Sequence, residues 1–68
     1  MEFKWEEGFT IKVSSSEDEV LISANREGLR SLANHLLTLA DEENGHFHLD
    51  EHNSLEKGST ELIVEKID

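Results

Sequence analysis

The stretch that decides the fold runs from Asn25 to Ala40 and reads NREGLRSLANHLLTLA. Leu29, Leu32, Ala33, Leu36, Leu37 and Ala40 fall at i, i+3, i+4, i+7, i+8 and i+11, which is one apolar stripe at helical spacing. Leu39 widens the stripe, while Arg30, Ser31, Asn34 and Thr38 take the opposite side. Asn25 suits an N-cap, since its side-chain oxygen can accept an amide hydrogen bond of the first turn. Glu27 complements the helix dipole there. Gly28 weakens that turn by about 1 kcal/mol relative to Ala, and close packing of the helix on a sheet is one candidate reason for it. Asn44 and Gly45 supply the stop, because both tolerate a left-handed helix end. His35 lies on the border of the stripe and reads as a boundary histidine with a hydrogen-bond partner.

Strands surround this helix. Met1, Phe3 and Trp5 alternate with Glu2 and Lys4, and Phe9, Ile11 and Val13 alternate with Thr10 and Lys12. Period two predicts half-buried strands. Glu6-Glu7-Gly8 between them suits a hairpin loop whose Gly takes the left-handed position. Trp5 reads as a core or edge aromatic. Ser14 to Asp18 reads as a polar turn. Glu19 to Ala24 follows as a strand, with Val20, Ile22 and Ala24 on one face. After the helix, Phe47 and Leu49 point inward while His46, His48 and Asp50 point outward. Glu51 to Ser59 is a polar loop holding Leu55, and Thr60 to Ile67 is the last strand, with apolar residues on both faces. The order is β-β-β-α-β-β over a single domain, residues 1–68. The expected fold is α+β, with one amphipathic helix packed on one face of a mainly antiparallel sheet.

The chain has 68 residues, no cysteine and a net charge of −10. That length allows one domain. The lack of cysteine rules out a disulfide scaffold and any thiolate-ligated metal. The six cations are scattered, so no basic stripe for nucleic acid or anionic membrane is present. No apolar run approaches the ~18 residues of a spanning helix, and Met1 to Trp5 lacks a signal-peptide pattern. The expectation is a cytoplasmic protein.

The most chemical-looking run is His46-Phe47-His48-Leu49-Asp50-Glu51-His52. His46, His48 and Asp50 share one side of a strand, and His52 could curl back. Imidazole and carboxylate together suit a divalent transition metal. The same alternation is also what a solvent-facing strand carries, and the expectation is no metal and no cofactor. Catalysis is not expected either. A 68-residue chain offers little wall for a pKa-perturbing cleft, Ser14 to Ser16 has no nucleophile motif around it, and the glycines are too dispersed for a phosphate cradle. The acidic runs read either as a solvated face or as a surface for an electropositive protein partner. Asp41-Glu42-Glu43 sits at the helix C-terminus, where negative charge opposes the dipole. Glu17-Asp18-Glu19 forms a second run, and Asp50-Glu51 a third.

Several stretches together resemble a known family. They are Ile22 to Leu29, Leu32 to Leu36, Gly45-His46-Phe47-His48-Leu49-Asp50, and Gly58-Ser59-Thr60-Glu61-Leu62-Ile63-Val64-Glu65. The chain is similar over residues 20–67 to the immunity-protein-32 family of bacterial polymorphic toxin systems. The resemblance implies a small cytoplasmic protein that binds and neutralises a cognate toxin, with no catalytic residues to carry over. Combined with the charge, it points to a toxin with a basic surface, occluded by a face built from Asp41, Glu42, Glu43, Asp50 and Glu51 with His46 and His48. Two other readings are a metal-binding domain on His46, His48, Asp50 and His52, and a regulatory or structural homodimer through Ile63 and Ile67.

Overall fold

The structure, a computed structural model, describes residues 3–68. Its elements are β1 (Ile11–Ser16), β2 (Glu19–Ala24), α1 (Arg26–Ala40), β3 (Gly45–Leu49) and β4 (Leu62–Lys66). The α+β class and the antiparallel pairing are as expected, but the strands form two two-stranded sheets, β1 with β2 and β3 with β4. β1 and β2 join through the two-residue turn Glu17-Asp18, with Val13 opposite Ile22 and Ser15 opposite Val20. The serines read as a turn therefore belong largely to β1, where the backbone ladder, indifferent to side-chain polarity, carries them. In the second sheet Phe47 faces Val64, and His46 faces Glu65.

The expected first strand does not form among Phe3 to Trp5, and Met1 and Glu2 lie outside the described residues. The alternation had a different cause. Phe3 stacks on the His35 ring with centroids 4.4 Å apart, and Trp5 meets the same ring edge-on at 4.1 Å. Phe3 also meets Phe47 of β3 edge-on at 5.3 Å, so the two aromatics gather around the His35 ring by side-chain packing and no strand ladder forms. The Glu6 amide donates to Ser31 Oγ of α1 at 2.7 Å, away from any ladder. Trp5 also stacks on Phe9 at 4.5 Å.

The loop after β3 closes the free edge of β1. The Glu56 and Thr60 amides donate to the Ile11 and Val13 carbonyls, each at 2.8 Å. Leu55 on this loop is buried with Ile11, Val13, Leu39, Phe47 and Leu49, and Phe3, Phe9, Ala24, Leu32, Leu62 and Val64 pack around them.

The helix lies differently from its apolar stripe. Its buried face is Gly28, Ser31, His35 and Leu39. Leu29, Leu36 and Leu37 are 55%, 45% and 67% exposed. The N-terminus explains this rotation. Asn25 Oδ1 accepts from the Gly28 amide at 2.7 Å and the Thr10 amide at 3.0 Å, while its Nδ2 donates to the Gly8 carbonyl at 2.9 Å. Gly8 supports that approach with φ +82°, a left-handed conformation favoured by glycine. Gly28 then sits so near β1 that an added Cβ would lie 2.2 Å from the Thr10 carbonyl oxygen. These contacts set the helix roll at its first turn, and the leucines follow it outward.

His35 is accordingly no boundary residue: it is 1% exposed. Its ring lies against Phe3, Trp5 and Phe47. Nδ1 lies 2.6 Å from the Ser31 carbonyl, so Nδ1 carries the proton and donates it. Burial lowers the His35 pKa below its ordinary 6.5, and the bond to Ser31 offsets part of that shift. Below pH 6.5 the unfolded chain takes up a proton that the folded ring resists. This contribution to stability is therefore complete above pH 6.5 and is lost as pH falls towards the folded pKa, by at most about 1.4 kcal/mol per pH unit. Urea melts at pH 7.5 and 5.5 test this. His35→Phe should show a smaller pH slope than the wild type, and equal slopes would refute the assignment.

A candidate partner-binding face on the outer side of β3 and β4

Alternation on β3 turns Phe47 and Leu49 into the core and leaves His46 and His48 exposed. Their rings lie 4.8 Å apart. On β4 the same alternation buries Leu62 and Val64 partly and exposes Ile63 and Glu65. The register places Glu65 opposite His46 and Ile63 opposite His48. Glu61, just before β4, reaches His48, with Oε2 3.3 Å from Nδ1. The outer sheet face thus carries two imidazoles, two carboxylates and one half-exposed isoleucine.

The acidic runs flank this face at its two ends and do not meet in one cluster. Asp41, Glu42 and Glu43 precede β3, whereas Asp50 and Glu51 follow it. Five strand residues at ~3.3 Å each separate the two groups by roughly 17 Å.

Their surroundings differ as well. Asp50 Oδ1 accepts from the His52 and Asn53 amides at 2.8 and 3.0 Å, and Glu51 Oε2 accepts from the Gly58 amide at 2.8 Å. Both carboxylates organise the loop. Asp41 and Glu43 are exposed and Glu42 is half-buried. The helix has no basic residue in its last turn, yet its C-terminus is complemented from β4: Lys66 Nζ donates to the Ala40 carbonyl at 2.9 Å and also to the Glu42 carbonyl. The cation missing from the helix sequence is supplied 26 residues later. It allows acidic side chains to occupy a helix end whose dipole disfavours them.

The residues weighed for a metal are not assembled around one point. Asp50 is held in its turn, and His52 points to solvent with Nε2 4.0 Å from Glu51 Oε1. Among the described residues no group of three or more His, Asp or Glu is placed to hold a metal ion. No pocket is found among them either. What this geometry offers is an open surface.

The sequence profile of the family described as Immunity protein 32 matches residues 19–67. The chain belongs to the Immunity protein 32 family. The match takes in β2, α1, β3, the long loop and β4, and leaves out β1 and the aromatic segment before it. No curated protein and no solved structure matches the chain. Membership gives the protein an immunity-type role, and with it the binding of a cognate toxin. No helix among the described residues is long and apolar enough to cross a membrane.

Glu61 and Glu65 entered the sequence reading only within the run that carries the family resemblance, and not as candidate contact residues. Their signal was the alternation Glu61, Ile63, Glu65 on the last strand. It becomes informative only once the register sets it beside His46 and His48.

Proposed function

We propose that this immunity protein neutralises its toxin by covering a basic surface of it with the outer face of β3 and β4. The centre of the contact is His46, His48 and Ile63, with Glu61 and Glu65 alongside. Asp41, Glu42 and Glu43 extend it at one end and Asp50 and Glu51 at the other. The observation that carries the reading is an open sheet face bordered by carboxylates at both ends, on a chain of net charge −10. Such a field speeds encounter with a cationic protein and discriminates against acidic ones. A small acidic domain acts here as a plug: it occupies the toxin's working surface and performs no chemistry. The stretch where a nucleic-acid-cleaving toxin would hold phosphate is one surface it would oppose directly.

The test is titration of the chain against the toxin it protects from. Charge reversal at Asp41→Lys with Glu65→Lys should weaken binding by roughly 100-fold, mostly through slower association. Raising salt from about 50 to about 500 mM should weaken the wild-type complex more than the variant. An affinity within about threefold of wild type would remove this face from the interface.

A further inference from the structure

The leucines that α1 leaves outside the core form a pattern of their own. Leu29, Ala33, Leu36 and Ala40 are spaced by 4, 3 and 4 residues, the spacing of a coiled-coil seam. Large and small side chains alternate along it, and all four positions are exposed, with Leu37 exposed alongside. The ends of the seam carry opposite charge. Arg26 and Arg30 are exposed at the N-terminal end, and Asp41 and Glu43 at the C-terminal end. Each of these signs opposes the helix's own dipole.

We propose that α1 pairs antiparallel with α1 of a second copy of this chain about a twofold axis. With the axis beside residues 34 and 35, Leu29 of each copy faces Ala40 of the other, and Leu36 faces Ala33. Every leucine meets an alanine, so the helices interdigitate at close approach. Arg26 comes near the turn that follows the partner helix and carries Asp41 and Glu43, and the charges that suit each helix poorly are matched by its neighbour. The two dipoles also run in opposite directions. A parallel pair would set leucine on leucine and Arg26 beside Arg26. The twofold makes every one of these contacts twice.

The net charge opposes association at long range. At 0.15 M salt, however, the Debye length is about 8 Å, which screens carboxylates far from the seam. A 15-residue helix is about 22 Å long. One such seam covers less than the ~800 Å² per partner of a standard interface, so the dimer is weak, dissociating in the micromolar range or above. It uses α1 and leaves the outer face of β3 and β4 open; the two contacts share only Asp41 and Glu43 at the helix end, and Ala33, which lies outside the toxin contact, tells them apart.

Sedimentation velocity of the full chain from about 5 to about 500 μM, in ~0.15 M salt, is the test. The mass should rise from one chain towards two. Ala33→Glu, at an exposed position, should keep its circular dichroism and remain a monomer throughout. Arg26→Glu should weaken the dimer by about fivefold, and adding Glu43→Arg should restore it to within about twofold. A folding defect would not be rescued in this way. The proposal is overturned by a wild type that stays monomeric at the top concentration, by a dimer that survives Ala33→Glu, or by the absence of rescue. A dimer lost on Ile63→Lys but not on Ala33→Glu would place the interface on β4. A monomeric chain whose toxin complex is lost on Ala33→Glu would give the seam to the toxin. Either result also overturns it.

Discussion

Gly28→Ala is expected to destabilise the protein by about 3 kcal/mol, against the gain that alanine ordinarily brings to a helix. Helix propensity alone predicts a stabilisation of about 1 kcal/mol. The new Cβ, however, would stand 2.2 Å from the Thr10 carbonyl oxygen, 3.0 Å from Ile11 Cγ1 and 3.1 Å from Ala24 Cβ. The nearest of these is backbone and cannot swing aside. The helix must lift off β1 or roll, and either movement disturbs Ser31, His35 and Leu39 on the same face. Overpacking in a well-filled core costs about 1–3 kcal/mol, and a clash with main chain belongs at the upper end. For a chain of this length, total stability is roughly 3–10 kcal/mol, so thermal unfolding should begin near or below ambient temperature in the weakest case. Each kcal/mol shifts Tm by about 4–8 °C in a domain of this size. A thermal melt showing a Tm equal to or above wild type would refute the close-approach argument.

Asn25 is the second sensitive point. Asn25→Ala removes the acceptor for the Gly28 and Thr10 amides and the donor to the Gly8 carbonyl at once. An N-cap alone is worth about 1 kcal/mol. The two tertiary bonds raise the expected loss to about 2–3 kcal/mol, moderated by the exposure of the site. Asn25→Asp separates the two roles. A carboxylate keeps both acceptor functions and favours the helix dipole, but it cannot donate to Gly8. Its cost should be about 1 kcal/mol or less. Urea denaturation of both variants provides the comparison. If both fall within about 0.5 kcal/mol of wild type, Asn25 does not hold the helix roll.

These two residues also show how far the sequence could be read. Asn25 as N-cap follows from residue type and position, whereas close packing was one candidate reason among others for Gly28, and only the structure supplies its approach to Thr10. The inward alternation of Phe47 and Leu49 was legible, since period two is a property of the strand itself. The immunity-family resemblance over residues 20–67 coincides with the profile match over 19–67. The segment from Phe3 to Trp5 was harder. Two aromatics at i and i+2 look alike whether they face a strand or, as here, the ring of His35. The acidic helix end was read as electrostatically adverse because its counter-charge, Lys66, arrives from β4 and is not marked in the helix. The candidate face was only partly legible. The alternation put His46 and His48 outward, whereas β3 separates Asp50 and Glu51 from Asp41 to Glu43 and the register brings in Glu61 and Glu65.

The sequence by itself determined the α+β class, the place of the helix, the antiparallel strands around it, the negative charge and the family. Those depend on periodicity, composition and motif, all of which are local or additive along the chain. Only the tertiary structure decided which side of the helix is buried. A hydrophobic stripe favours burial by area alone, and area does not record that one glycine beside a carbonyl permits closer approach than a leucine. Three hydrogen bonds from Asn25 and the fit of Gly28 against Thr10 set the roll at the first turn. They put His35 in the core and left Leu29, Leu36 and Leu37 on the outside.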